Sequence, residues 1–246
     1  MFSFFKKFTA DTEIKDFSFI GTDIHSHLIP GIDDGCSSIE NSIASIKSLK
    51  ELGFTRIITT PHVMAEVYPN TSETIKEGLE KLKVALKENE IDIEIEVAAE
   101  YKMDENFNVL LDNDDLLTFG DKYLLVEFSF VAAPINLETT IFKLRTKGYR
   151  PILAHPERYL YLADHLEKFE EFKALGCHLQ LNLMSLVNQY GGAARETALK
   201  MLSKNMYDFF GTDLHRPEDV RILKKVLATK SEYHKIQNVK HLNQKV

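Results

Sequence analysis

A chain of 246 residues with 44% hydrophobic side chains can bury one substantial core, and nothing in it calls for more than one domain. Its 30 basic and 37 acidic side chains leave a formal net charge of −7, which argues against the clustered positive surface that a sequence-independent grip on nucleic acid needs. Cys36 and Cys177 are too few for a disulfide framework and too isolated for a zinc finger, so a reducing, cytoplasmic setting is expected.

Residues 1–18 read as an N-terminal arm. The opening Met-Phe-Ser-Phe-Phe-Lys-Lys-Phe has its apolar run broken by Lys6 and Lys7 and lacks a small-residue cleavage site, unlike a signal peptide. Its phenylalanines are expected to cover the lower end of the fold. No span elsewhere is long enough to cross a bilayer, so no transmembrane segment is expected.

From residue 19, short β-branched or apolar runs alternate with longer segments of helical period, the pattern of a mainly parallel sheet. Strands are expected at 19–24, 56–60, 93–98, 123–128, 151–154, 178–182 and 207–211. Helices are expected at 37–52, 72–89, 135–147, 163–175, 193–204 and 217–229, with apolar residues such as Ile39, Ile43, Ile46 and Leu49 at three- and four-residue steps. Gly53, Gly148 and Gly176 fall where a left-handed residue would close a helix before the next strand. Residues 104–121 are the least regular and read as a short helix plus loop. Seven β/α steps fit an α/β fold of the distorted (β/α)7, TIM-like barrel type, because no glycine-rich phosphate fingerprint follows the first strand. The barrel is expected over 19–230, and the polar tail 231–246 is expected to fray.

The placement of histidines and carboxylates carries the chemistry. His25 and His27 follow the first strand, His62 the second and Glu100 the third; Glu127 lies near the end of the fourth, His155 ends the fifth, and Asp213 and His215 follow the seventh. In a β/α barrel these C-terminal strand ends converge on one mouth. The members of the pairs His25/His27 and Asp213/His215 stand two residues apart, so alternation along an extended chain points both members the same way. Imidazole and carboxylate together, without a thiolate, suit catalytic divalent ions such as manganese, iron, zinc or cobalt. So many buried titratable groups in one mouth would be costly without compensating cations.

The motifs Asp23-Ile-His-Ser-His27, Asp33-Asp-Gly35, Thr60-Pro-His62, Ala99-Glu-Tyr101, Leu125-Val-Glu-Phe128, Ala154-His-Pro-Glu-Arg158 and Gly211-Thr-Asp-Leu-His215 occur in the order found in PHP (polymerase and histidinol phosphatase) domains. Over about residues 20–230 the chain resembles that family, and within it the bacterial tyrosine phosphatases of capsule and exopolysaccharide systems. The resemblance implies a distorted barrel with a three-metal centre. One metal would take His25, His27, Glu100 and Asp213; a second would share Glu100 and add Glu127 and His155; a third would take Asp34, His62 and His215. Asp34 is preferred to Asp33 because it directly precedes Gly35, as in the family pattern.

Charge counting favours three ions independently: four carboxylates, two divalent cations and a hydroxide leave the centre at −1, whereas a third cation makes it +1 and attractive to a phosphate dianion. Such metals lower the pKa of a bound water toward ~7, so water can attack phosphorus with no covalent enzyme intermediate. Neither cysteine has the arginine that closes the loop of thiolate phosphatases; Ser42 and Leu183 stand there instead. The family assigns Arg158 to clamp a phosphoryl oxygen. Its second arginine usually lies farther beyond the last histidine than Arg216 does, so Arg216 and Arg221 both stand as candidates. Asn182 is a candidate polar contact or a cap, and Tyr101, Phe128 and Tyr159 either border a groove for an aromatic ring or pack.

The implied partner is a phosphotyrosine protein, the tail of a membrane-bound bacterial tyrosine kinase controlling polysaccharide export. A small-molecule phosphatase acting on histidinol phosphate and a PHP-type phosphodiesterase are the alternatives within enzymes. A metal-loaded module that binds phosphotyrosine without turnover is the alternative outside them.

Overall fold

Helix and strand alternate as the periodicity requires. In the computed structural model, which describes residues 15–246, the order is β1 (Thr22–Asp23), α1 (Ile39–Glu51), β2 (Arg56–Thr59), β3 (His62–Val63), α2 (Ser72–Glu88), β4 (Glu94–Val97), β5 (Glu100–Lys102), α3 (Glu105–Asp112), β6 (Tyr123–Glu127), α4 (Leu137–Thr146), β7 (Arg150–Ala154), α5 (Leu166–Ala174), β8 (His178–Asn182), α6 (Gly192–Ser203), β9 (Phe209–Gly211), α7 (Val220–Ala228) and α8 (Lys230–Gln237). Most of the N-terminal arm, and with it the cover expected from its phenylalanines, lies outside the described residues.

The helices begin where side chains satisfy their free amide groups. Ser38 Oγ accepts from Asn41 N at 3.4 Å to start α1, and Asp104 Oδ1 accepts from Phe107 N at 2.9 Å to start α3 in the irregular 104–121 segment. Thr71 and Thr74 form a reciprocal capping box at α2, whose Ile75, Leu79, Leu82 and Leu86 make the buried stripe. Gly53, Gly148 and Gly176 all have positive φ after α1, α4 and α5.

Two expected strands are each divided. Pro61 has no amide hydrogen to give to a ladder, and the break falls at residues 60–61 of one path and 98–99 of its neighbour. The register is the same on both sides of it, Thr59 opposite Val97 and His62 opposite Glu100. All strand pairs are parallel, in a three-stranded sheet β1-β2-β4 and a six-stranded sheet β3-β5-β6-β7-β8-β9. Beyond β1 and β9, Ser26 forms a parallel bridge with Leu214, and His27 N donates to Leu214 O at 2.9 Å.

Alternation along the strands sorts side chains into two buried layers. Ile24, Ile58, Ala98, Leu125, Ile152, Ala154 and Phe209 form an inner cluster, while Leu124, Val126, Leu153, Leu179 and Phe210 join the larger cluster that includes the helices. Two residues beyond inner positions come the polar ones: Glu100 after Ala98, Glu127 after Leu125. The inner face therefore runs from apolar at the N-terminal strand ends to charged at the C-terminal ends.

The tail corrects one expectation: it does not fray. α8 buries Tyr233 and Ile236, and the chain beyond it returns beneath β1 and β9. Asn243, fully buried, accepts from Phe210 N at 3.0 Å and donates to Thr22 O at 2.9 Å and Phe210 O at 2.7 Å. Composition concealed this because one asparagine satisfying three backbone groups leaves no apolar signal.

Candidate metal centre

The C-terminal strand ends bring His25, His27, His62, Glu100, Glu127, His155, Asp213 and His215, with Asp34, into one mouth. Four groups have ligand atoms all within 4.8 Å of one another: His27, Asp34, His62 and His215; His25, Glu100 and His155; His25, His27 and Asp213; and His62, Glu100 and Glu127. Glu100 stands at the centre. Its Oε2 lies 3.2 Å from His25 Nε2, 3.5 Å from His27 Nε2 and 3.1 Å from His62 Nδ1, and its Oε1 lies 3.0 Å from His155 Nε2. Asp34 Oδ1 is 3.5 Å from His62 Nε2 and 3.6 Å from His215 Nε2.

Asp33 has a different task. It accepts from Gly35 N and His62 N, and its Oδ2 lies 2.9 Å from His27 Nδ1, so it holds that ring with Nε2 toward the cluster. Gln180 does the same for His25, with Oε1 2.9 Å from Nδ1. Both side chains approach the backbone closely there: a Cβ on Gly211 would sit 2.6 Å from Gln180 Nε2 and 2.7 Å from His25 Cβ, so no other residue fits without a shift. His155 and Asp213 themselves sit at φ +35° and +53°, a left-handed backbone that L side chains adopt at a cost and that aims both into the mouth.

The electrostatics show what the cluster requires. Burial opposes a charge on His25, yet Glu100 and Asp213 outweigh it and raise its pKa to about 9. Burial pushes His62 and His155 down to about 4. Burial and the charge of Glu100 push Glu127 well above the usual carboxylate range, with Lys102 acting the other way. Glu100 Oε2, Glu127 Oε1 and His62 Nδ1 are buried without a hydrogen-bond partner. Three converging orphan atoms of ligand type, two of them on mutually repelling carboxylates, fit divalent cations well.

Arg158 closes one side. Its Nη1 donates to Asp213 Oδ2 at 2.9 Å, and its guanidinium lies over the rings of Phe130 at 4.6 Å and Tyr190 at 4.2 Å. Asn182 Nδ2 donates to the same Asp213 oxygen at 2.7 Å, so it holds Asp213 and also caps the turn after β8 through Met184 N. Arg216 is exposed and lines an adjoining cleft of about 240 Å³ with Arg158, Tyr190 and Asp219; Arg221 lines neither cleft.

The mouth itself is a cleft of about 170 Å³ lined by Asp34, His62, Glu127, His155, Arg158 and their neighbours. Tyr101, Phe128 and Tyr159, read as bordering a groove or packing, are buried at 2%, 2% and 0% exposure and pack in the core, Phe128 also lining the cleft. Two less buried rings also line it. Tyr68 stacks on His62 with centroids 5.6 Å apart, and Phe130, 48% exposed, stacks on His155 at 5.8 Å. Both stand in irregular loops where no periodicity marks them. Lys102 also lines the cleft, two residues beyond Glu100 on β5; the spacing that links His25 to His27 would have found it. A larger cavity, about 960 Å³, opens beside α6 between Arg195, Leu199 and Lys225, and none of the cluster reaches it.

Comparison with known proteins agrees with this geometry. The family model described as Capsular polysaccharide synthesis, CpsB/CapC, matches residues 21–240. CapC of Staphylococcus aureus is 30% identical over 194 residues, 78% of this chain and 76% of that protein. The tyrosine-protein phosphatase YwqE of Bacillus subtilis is 29% identical over the same shares. A crystal structure from work on Bacillus subtilis YwqE and Streptococcus pneumoniae CpsB, described as unique metal-dependent tyrosine phosphatases, superposes with a TM-score of 0.75 at 26% identity, covering 88% of this chain and 92% of that one.

Proposed function

This chain belongs to the CpsB/CapC family of capsular polysaccharide synthesis, and from that premise we propose that it is a metal-dependent protein-tyrosine phosphatase that needs no catalytic cysteine. The observation that carries the reading is the convergence of nine histidine, aspartate and glutamate side chains, four with buried unpartnered polar atoms, beside Arg158. The two sheets form one distorted barrel, joined through Ser26 and Leu214. Three divalent ions, manganese by preference, are held by His25, His27, Glu100 and Asp213; by Glu100, Glu127 and His155; and by Asp34, His62 and His215. Bound there, they supply Lewis acidity and an activated water.

The protein's own groups position the substrate. Arg158, braced by Asp213 and by two aromatic faces, presents its remaining donors to the cleft and orients the phosphoryl group. Half-buried Tyr68 and exposed Phe130 line the cleft with aromatic rings, which supports an aryl phosphate as substrate. A phenolate leaves with a pKa near ~10, so a site without a dedicated proton donor suits it better than an alkyl alcohol. The substrate is the phosphotyrosine tail of a membrane-bound kinase, met in the cytoplasm; no helix among the described residues is long and apolar enough to cross a membrane.

Metal analysis of the purified protein, with turnover of a phosphotyrosine peptide and of histidinol phosphate under added manganese, tests the reading. His155→Ala should lose metal and activity together. Cys177→Ser should keep both, since the thiol is 4% exposed and burial pushes its pKa up to about 12. Full activity after chelation, or a marked preference for histidinol phosphate, would overturn it.

A further inference from the structure

Arg158 is already engaged. One of its nitrogens serves Asp213 and its guanidinium packs on two rings, so part of its charge is spent inside the protein. Asp34, Glu127 and Asp213 line the cleft as well, and with metal ions to take up their charge a second protein cation there would add to the hold of Arg158 on a phosphate dianion. Arg216, one residue past His215, faces the adjoining cleft. In the mouth itself the lysine or arginine that lines the cleft beside Arg158 is Lys102, so a second cation there falls to it.

We propose that Lys102 is that second cation, a substrate-binding residue that contacts the phosphoryl oxygens across the cleft from Arg158. Three observations lead there, resting on the phosphatase reading above. Ala98, Glu100 and Lys102 occupy alternate positions, and because Ala98 lies in the inner cluster and Glu100 in the metal centre, Lys102 is the next inward position toward the mouth. Tyr101, between them, points to the outer core. Register then sets Lys102 beside Glu127, and both line the cleft with Arg158 and His155.

The third observation is the state of the ammonium group. Lys102 is partly buried, and among the described residues it has no hydrogen bond and no ion pair within 4.0 Å, whereas Lys83, Lys143, Lys147, Lys168, Lys173 and Lys200 each meet a carboxylate. Its nearest carboxylate along the sheet, Glu127, is the one whose charge metal ions would take up. Lys102 would then be left as the cation free to receive an anion. A lysine suits this place: the compact ammonium on a flexible stem can follow the phosphoryl group, while the planar fork of Arg158 fixes it.

The test uses the full-length, metal-loaded protein with Lys102→Met and Lys102→Arg variants. Calorimetric binding of inorganic phosphate, phosphate inhibition, and KM and kcat for a phosphotyrosine peptide are measured together with metal content and melting temperature. Lys102→Met should bind phosphate about tenfold more weakly and raise KM by a similar factor. Metal content and melting temperature should stay unchanged, and Lys102→Arg should recover most of the loss. Unchanged phosphate affinity in Lys102→Met overturns the proposal, as does a failure of Lys102→Arg to recover any of it. If the wild type turns over no phosphopeptide yet Lys102→Met still loses phosphate, the anion site stands and the phosphatase reading falls.

Discussion

The two ends of the strands are built on opposite rules. At the N-terminal ends Asn243 and Asp208 are fully engaged: Asn243 makes three backbone hydrogen bonds, and Asp208 accepts from Leu179 N at 3.1 Å and from Lys173 Nζ at 2.7 and 2.8 Å. At the C-terminal ends Glu100, Glu127 and His62 keep buried atoms unpartnered, and His155 and Asp213 hold a strained backbone. One sheet system thus concentrates its stability at one end and its reactivity at the other. Substitutions at the two ends should move stability and activity in different directions.

The largest effect is expected at Glu127. Glu127→Gln removes a buried carboxylate beside Glu100 while keeping its shape, and turnover should fall at least about a hundredfold. The metal-free variant should nevertheless melt higher than the metal-free wild type, by about 2–4 °C, because the repulsion between the two carboxylates is gone. Activity assays and thermal melts in a chelator read both. A variant that loses activity and also melts lower without metal would break the contrast, since Glu127 would then be supporting the fold.

At the other end Asn243→Ala should reverse the pattern. It leaves Phe210 N, Phe210 O and Thr22 O to find new partners in a buried place, and should cost about 2–3 kcal/mol in urea unfolding. Turnover per folded molecule should stay at the wild-type level. A loss of kcat at full folding would mean that the lower closure governs the geometry of the mouth.

How much of this was legible depends on what kind of signal each part leaves. Eight of the nine candidate ligands could be picked out because each stands at or just past a strand end and strand ends are marked by apolar runs; Asp34, in the loop before α1, came from the resemblance alone, and its neighbour Asp33 is committed to His27, His62 N and Gly35 N. The break at Pro61 was less visible, because a proline can also end a strand outright, and only the unchanged register shows the ladder continuing beyond it. Tyr68 and Phe130 were missed because a loop residue's direction is set by tertiary contacts, which no period encodes. Of the two readings open for Tyr101, Phe128 and Tyr159, packing holds for Tyr101, because adjacency to Glu100 along a strand places it on the opposite face, in the core, and for Tyr159, while Phe128 is buried and also lines the cleft.

The smallest effect expected is at Asp208, and pH tells whether the lower end works as described. Burial alone would raise its pKa, but hydrogen bonds from His178 and Lys173 outweigh it and hold the carboxyl below its ordinary value of 3.8. A group with a depressed folded-state pKa stabilises the fold above its unfolded value, and that contribution is lost as pH falls through the folded one. Asp208→Asn should therefore unfold about 1 kcal/mol more easily than wild type at pH 7, the residue being only 22% exposed, and the gap should close in acid as wild-type Asp208 protonates. Urea midpoints from pH 7 down to the acid limit of folding provide the measurement. A gap that persists unchanged in acid would assign the loss to the altered hydrogen bond with Leu179 N, and the charge of Lys173 would then have no part in closing the lower end.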